Sequence, residues 1–160
     1  MRAWLALQSG RRPHDLAPAE SGAEALGAVR TVRAHTAAAL ERVRHGERPD
    51  EADLAALNEL QRAAPAVSEL AWNGRAVAVE RRRAGPFGAR AAAWLAEAAA
   101  ELLADPAVVK VRQCEADDCV LLFLPAHPRR RWCSAARCGN RTRVARHYRR
   151  HKPEQAPRLD

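Results

Sequence analysis

The only four cysteines of this 160-residue chain lie in its last third, in two pairs of equal spacing. Four residues separate Cys114 from Cys119, four separate Cys133 from Cys138, and thirteen lie between the pairs. Each pair can hold one side of a metal ion from a single turn, and the residues between bring the two turns together. The pattern therefore predicts a four-thiolate site for one Zn²⁺.

Two other uses of four cysteines are open from the spacing alone. A disulfide-bonded secreted module is one, but the apolar run after Met1 is too short for a signal peptide. Paired cysteines in a reducing compartment favour thiolate ligands instead. An iron–sulfur or rubredoxin-like site is the other, although its cysteine loops are usually tighter. We expect zinc, in a cytoplasmic protein without a membrane span.

Catalysis is not expected at such a site. Four thiolates complete the tetrahedron around zinc and leave no position for water, so the zinc would be structural. Elsewhere, His14, His35 and His45 are isolated, with no Ser or Cys nucleophile pattern beside them and no Gly-rich phosphate loop. The sequence therefore predicts no enzyme.

Charge is segregated along the chain. Residues 1–109 carry a formal net charge of zero, whereas residues 110–152 carry +9. A neutral body with a strongly basic module favours a polyanionic partner, above all nucleic acid. A merely solvated basic surface is the plain alternative, since Arg outnumbers Lys 25 to 2, as a GC-rich coding sequence could produce.

Helical spacing of apolar residues predicts two helices near the start of the chain. The first runs from a Ser21 cap to about His45, with Gly46 as its stop, and the second from an Asp50 cap to Ala64. The apolar positions expected on their buried faces are Leu26, Val29, Val32, Leu40, Leu54, Leu57 and Leu60.

A β-hairpin and a third helix follow. Asn73-Gly74 lies between two apolar runs within residues 66–81, which predicts a hairpin with a type I′ turn. The helix is expected from about Phe87 to Ala104. The fold class is therefore α+β: a mainly helical N-terminal domain over residues 1–109, then a small treble-clef-like zinc finger.

The finger is predicted to contain a knuckle hairpin and a C-terminal basic helix. Residues 109–124 form the hairpin around the first cysteine pair, with an acidic, solvated turn. Ser134 caps a helix from about Ala135 to Arg150, which places Cys138 in the first helical turn. Val144 and Tyr148 share one face of this helix.

Arginines cluster on the opposite face of the same helix, within an arc of about 120°. We expect these side chains to contact DNA, with Arg129–Arg131 as a clamp on the DNA backbone. The expected nucleic-acid-binding residues are Arg129, Arg130, Arg131, Asn140, Arg143, Arg146, Arg149 and Arg150. Structural support of the finger is expected from Arg141, which would bond carbonyls, and from Trp132 and Ser134.

Residues 110–152 resemble the CGNR-type zinc fingers of bacterial regulators, which are named for the run Cys138-Gly139-Asn140-Arg141. The likeness takes in both cysteine pairs, the Leu122-Phe123-Leu124 strand, the approach over residues 130–134 and the basic continuation over residues 143–146. It implies a DNA-binding regulator.

In this family the finger usually follows an ABATE domain, a module of stress-induced transcription regulators, with which residues 1–109 are compatible. Such domains open with a strand that carries an Asn-Thr pair, whereas this chain begins Met1-Arg-Ala-Trp, so we expect a truncated start. The N-terminal domain is expected to sense a small-molecule effector or to form a homodimer. Residues 153–160 are a tail.

Two rival functions use the same finger. An RNA-binding knuckle would need aromatic stacking platforms, and only Trp132 and Tyr148 are available, at least one of which we expect to be buried. A protein-interaction module is the second rival, and it predicts a partner that survives nuclease treatment.

Overall fold

The computed structural model describes residues 2–8, 16 and 22–151. The chain divides into two compact units, Met1–Val108 and Val109–Asp160. Helices dominate the described part of the first unit, and each unit contains a two-stranded antiparallel hairpin. The α+β class expected from the sequence is therefore confirmed.

The N-terminal unit consists of helices and one hairpin. Its helices are α1 Arg2–Leu7, α2 Ala23–Val43, α3 Glu51–Ala63 and α4 Phe87–Ala104, and its strands are β1 Ala66–Trp72 and β2 Val77–Arg83. Pro65 follows the end of α3, and Pro86 is the N-cap of α4. Because proline has no backbone N–H to donate, it cannot continue α3 but is tolerated at the start of α4. No helix among residues 2–8 and 22–151 is long and apolar enough to cross a membrane.

The core of this unit forms where α2 and α3 pack against α4. Val32 of α2 and Leu57 of α3 are buried among three alanines of α4, Ala92, Ala96 and Ala99. Small residues let the helix backbones approach closely, and a Cβ on Gly88 would lie only 3.3 Å from the Cα of Ala25. Alanine and glycine therefore form the packing face of α4, with larger side chains inserted from its neighbours.

Replacing Leu57 by alanine is expected to lower the free energy of unfolding of this unit by about 2–5 kcal/mol. The surrounding alanines have short side chains that cannot fill the cavity that the change would leave. Chemical denaturation followed by circular dichroism measures the loss. Leu54→Ala, on the exposed side of the same helix, is the matched control and should cost less. Equal losses at the two positions would contradict the burial of Leu57 among the alanines of α4.

Three details of the sequence interpretation of these helices are wrong or untested. Leu26 of α2 and Leu54 of α3, expected on buried faces, are exposed. On α2 the neighbouring Ala25 is buried in the core instead of Leu26. The other expected positions include Val32, Leu40 and Leu57, which are buried. Asp50 occupies the N-cap position of α3, but its side chain makes no capping hydrogen bond. The expected Ser21 cap lies outside the described residues.

The predicted hairpin is present, but its turn differs from the expected type I′. Trp72 pairs with Val77, so residues 73–76 form a four-residue connection. The Asn73 side-chain oxygen accepts hydrogen bonds from the backbone N–H groups of Arg75 and Ala76, at 3.0 and 2.9 Å. Only Gly74 in this turn has a positive φ, of 93°, whereas a type I′ turn needs two such residues. The turn is therefore stabilised by hydrogen bonds to the Asn73 side chain rather than by a second residue with positive φ.

The C-terminal unit has shorter elements than the sequence suggested. Its strands are β3 Arg112–Gln113 and β4 Leu122–Phe123, and its helix is α5 Asn140–His151. A π-helical turn, Ala135–Gly139, precedes α5. The expected knuckle over residues 109–124 is thus a hairpin of two residues per strand.

Candidate metal centre and basic helix

Four cysteine sulfurs converge in the C-terminal unit. The Sγ atoms of Cys114, Cys119, Cys133 and Cys138 all lie within 4.8 Å of one another. Neighbouring sulfurs are 3.8 Å apart between Cys119 and Cys133, and 3.6 Å apart between Cys133 and Cys138. A tetrahedron with Zn–S bonds of about 2.3 Å has edges of about 3.8 Å. The sulfur cluster therefore has the dimensions of a four-thiolate zinc site.

Backbone hydrogen bonds shape the first cysteine loop. The Cys114 N–H donates to the Leu121 carbonyl and the Cys119 N–H to the Ala116 carbonyl, both at 2.9 Å. The Glu115 N–H donates to the Arg131 carbonyl at 3.0 Å, which ties this loop to the segment that leads into the second pair. The two loops are therefore held together by the polypeptide as well as by the sulfurs.

The thiols of the cluster differ in acidity. Burial disfavours a charge on Cys114, but N–H groups of Cys133 and Ala116 and neighbouring thiols donate to its sulfur, and together they lower its pKa to about 7. The hydrogen bond between the Cys138 and Cys133 thiols, together with burial, raises the pKa of Cys138 to about 12. Burial likewise raises the pKa of Cys133. A bound divalent cation would stabilise the thiolate form of all four cysteines.

The second cysteine loop is a capped turn against an aromatic ring. The Ser134 hydroxyl accepts a hydrogen bond from the Arg137 N–H at 3.1 Å, so the expected cap is present. Cys138 lies in the π-helical turn rather than in the first turn of α5, which is a correction to the sequence interpretation. A Cβ on Gly139 would lie 3.3 Å from the Trp132 ring. Trp132 packs on the cysteine cluster, which fits its expected structural role.

Two arginines contact the cluster from within the finger. Arg130 donates to the carbonyl oxygens of Trp132 and Cys133, and its guanidinium lies 5.1 Å from the centre of the Phe123 ring. Arg130 was expected in the DNA clamp, but these bonds occupy it inside the finger. Arg141 bonds no carbonyl among the described residues; its guanidinium lies 3.8 Å from the Cys138 sulfur and 2.7 Å from an Asp118 carboxylate oxygen.

The acidic turn of the first loop pairs with arginines of the second half of the finger. Glu115 binds Arg131, and Asp117 lies 3.5 Å from Arg149. With the Asp118–Arg141 pair, all three carboxylates of the turn face a guanidinium. The three acids are exposed, as expected of a solvated turn, but their ion pairs were not predicted. All three acids of residues 110–152 lie in one turn, and a run of three arginines, Arg129–Arg131, leads into the second cysteine pair. These two features could have suggested the ion pairs.

Helix α5 presents its arginines to solvent. Arg143 donates to the Asn140 side-chain oxygen at 2.6 Å, while Arg146 and Arg150 have no ion-pair partner within the described part of the chain. Val144 and Tyr148, which share one face of the helix, are both exposed, because a unit this small buries little apolar surface. Of the two aromatic residues singled out, Trp132 is half-buried and Tyr148 is exposed.

Comparison with known protein families gives two matches. The family model described as "Putative stress-induced transcription regulator", ABATE, matches residues 1–106. The CGNR zinc finger model matches residues 110–151, which include all four cysteines. None of the curated proteins compared with the chain matches it. The CGNR match and the sulfur geometry agree that the finger is able to bind one zinc ion.

Proposed function

The chain belongs to the ABATE family and carries a CGNR zinc finger, and on this premise we propose that it is a stress-induced transcription regulator that binds duplex DNA through that finger. Residues 110–152 are the DNA-binding domain. Residues 1–109 sense a signal, such as a small-molecule effector, or mediate dimerisation. We place this activity in the cytoplasm.

The observation that carries the proposal is the charge of α5 beside the metal site. The helix begins two residues after Cys138 and contains five arginines and no acidic residue. Its arginines are exposed, and the unit to which they belong is strongly basic, while the N-terminal unit is neutral. A metal-stabilised scaffold with an exposed basic helix suits binding to phosphates and to the edges of bases.

The ion pairs divide the expected DNA contacts into two groups. Arg143, Arg146 and Arg150 do not pair with the acidic turn, and neither does Arg129, which is exposed in the segment that leads into the second cysteine pair. Arg131 and Arg149 must exchange a carboxylate for a phosphate before they contribute. Exposed pairs of this kind contribute only about 0–1 kcal/mol, so a DNA phosphate can displace the carboxylate.

Titration of the zinc-loaded protein against random-sequence duplex DNA over a salt series tests the proposal. If about six phosphates are neutralised, the slope of log K against log salt is expected near roughly −5. Cys138→Ser, which removes one zinc ligand, is the control and should abolish this binding. Affinity that does not change between low and moderate salt would refute the proposal.

Two further measurements, a competition with RNA and a search for protein partners, separate the two rival functions. The finger exposes Val120, Leu121 and Leu124, an apolar run that a protein-interaction module would use. Tyr148, also exposed, could stack on an RNA base. Preference for single-stranded RNA in competition would favour the RNA-binding function, and a partner that survives nuclease treatment would favour the protein-interaction function.

A further inference from the structure

One sulfur of the cysteine cluster accepts a hydrogen bond from a charged side chain. The Nη2 atom of Arg141 donates to the Sγ of Cys138 at 3.8 Å. Within residues 22–151, no other guanidinium or ammonium group bonds a cysteine sulfur. Cys114 accepts its hydrogen bond from the backbone instead, from the Cys133 N–H at 3.4 Å. A side-chain substitution can therefore remove the donor at Cys138 and leave the donor at Cys114 in place.

The same nitrogen of Arg141 lies beside the first cysteine loop. Nη2 is 2.7 Å from Oδ1 of Asp118, and Asp118 directly precedes the ligand Cys119 in the chain. A terminal guanidinium nitrogen carries two hydrogens, so Nη2 can donate to both partners at once. Arg141 thus bridges a carboxylate of the first loop and a sulfur of the second.

The two partners of Arg141 differ in their exposure to water. The Asp118 side chain is 67% exposed, whereas Cys138 is only 7% exposed. Water screens an exposed ion pair, so the contact with Asp118 is weak and serves mainly to orient the guanidinium. The buried sulfur is screened much less, and the charge of Arg141 acts on it more strongly.

A positive charge at this sulfur favours the zinc-bound form of the finger. Zinc with four thiolates carries a net charge of −2. Cys138 is buried, where a charge that has no partner is costly to hold. A hydrogen bond from a guanidinium to a thiolate is stronger than one to a neutral thiol, because both groups are then ionised. The Arg141 contact therefore stabilises the metal-bound state more than the metal-free state.

Other groups hold the backbone around Cys138 without the Arg141 side chain. The Thr142 hydroxyl donates to the Cys138 carbonyl at 2.9 Å, and the Gly139 N–H donates to the Ser134 carbonyl at 3.0 Å. The capping bond between the Ser134 hydroxyl and the Arg137 N–H completes the turn. A substitution at Arg141 therefore removes the charge and keeps the turn that carries the ligand.

We propose that Arg141 sets the zinc affinity of the finger by donating to the Cys138 thiolate, and that Asp118 positions it for this contact. Groups that bond a metal ligand in this way change metal affinity by about 10–100-fold. The inference goes beyond the function proposed above and does not rest on DNA binding. Zinc affinity is measured without DNA, so the failure of either proposal leaves the other standing.

Competition of the full chain with a chromogenic chelator, at constant pH and salt, measures the zinc affinity. Arg141→Gln removes the charge and is expected to weaken zinc binding by about 10–100-fold. Arg141→Lys keeps the charge, although it lacks the guanidinium fork, and should bind zinc more tightly than Arg141→Gln. Arg137→Gln is the matched control, because Arg137 is exposed directly before Cys138 and its side chain makes no bond to a sulfur within residues 22–151.

The three variants decide the proposal together. The control Arg137→Gln should lose much less zinc affinity than Arg141→Gln. An Arg141→Gln variant that binds zinc as tightly as the wild type overturns the proposal. So does an equal loss in Arg141→Lys or in Arg137→Gln, because the charge at Arg141 would then not be responsible.

Alkylation of the zinc-saturated protein, mapped by mass spectrometry, gives a second and local readout. An N–H donor withdraws electron density from the sulfur that accepts it. In Arg141→Gln, Cys138 should therefore be alkylated faster relative to Cys114, whose backbone donor is unchanged. Equal acceleration at both cysteines would indicate a general loosening of the finger and would overturn the proposal.

Discussion

Removal of zinc is expected to unfold the C-terminal finger and leave the N-terminal helices folded. The buried core of the finger consists of Cys114, Ala116 and Cys138, against which Phe123 and Trp132 pack. Two of these three buried residues are metal ligands, so the apolar core alone is too small to stabilise the unit. Structural zinc in small domains contributes about 10–16 kcal/mol at neutral pH, which exceeds what this core can replace.

Hydrogen exchange of the full chain, with and without a strong chelator, measures this effect. Amide protection over α5 and the two cysteine loops should disappear with the metal, while protection over α2, α3 and α4 persists. Ser134→Ala is the control, because it removes one capping hydrogen bond worth about 1 kcal/mol and leaves all four ligands. Protection of α5 that survives chelation would show that the finger does not depend on zinc.

Replacing Arg143, Arg146 and Arg150 together by glutamine is expected to weaken DNA binding by about 10²–10³-fold near 0.1 M salt. Each phosphate contact contributes about 0.9 to the slope of log K against log salt, so the slope should become less steep by roughly 3. Fluorescence anisotropy with labelled duplex DNA over a salt series gives both quantities. The zinc content and helicity of the variant should equal those of the wild type.

A matched control removes the same charge from the other unit. Arg30, Arg33 and Arg48 are exposed in the N-terminal unit, and their joint replacement by glutamine should leave both slope and affinity nearly unchanged. Asp117→Asn should act in the opposite direction, since it releases Arg149 from its ion pair. An equal loss of affinity in the two triple variants would mean that net charge, not the surface of α5, determines binding.

The metal centre could be predicted because its signal is local. Equal cysteine spacing depends on turn geometry, and the structure brings the four sulfurs to the distances that such a site needs. The Ser134 cap was equally accessible, since a hydroxyl three residues before the recipient N–H acts within one turn. Proline positions likewise indicated the end of α3 and the bounds of α4, because a residue without a backbone N–H affects the helix at its own place in the chain.

What the sequence could not provide depends on residues distant in the chain. Ala25 rather than Leu26 is buried because it packs on Phe87 and Ala91 of α4, a contact that helical spacing alone could not indicate. Arg130 differs from Arg129 only in its tertiary contacts with two carbonyls and a ring. The exposure of Val144 and Tyr148 depends on the size of the finger, which periodicity does not measure.

The three carboxylates of the first cysteine loop act as a built-in occupant of the basic surface. They pair with Arg131, Arg141 and Arg149, so each of these guanidinium groups already has a carboxylate oxygen as its partner. A polyanion therefore meets side chains that have already lost much of their rotational freedom, and binding exchanges one oxygen partner for another. Because a lone anion offers too little charge to displace all three acids at once, we expect the finger to favour ligands that carry several phosphates.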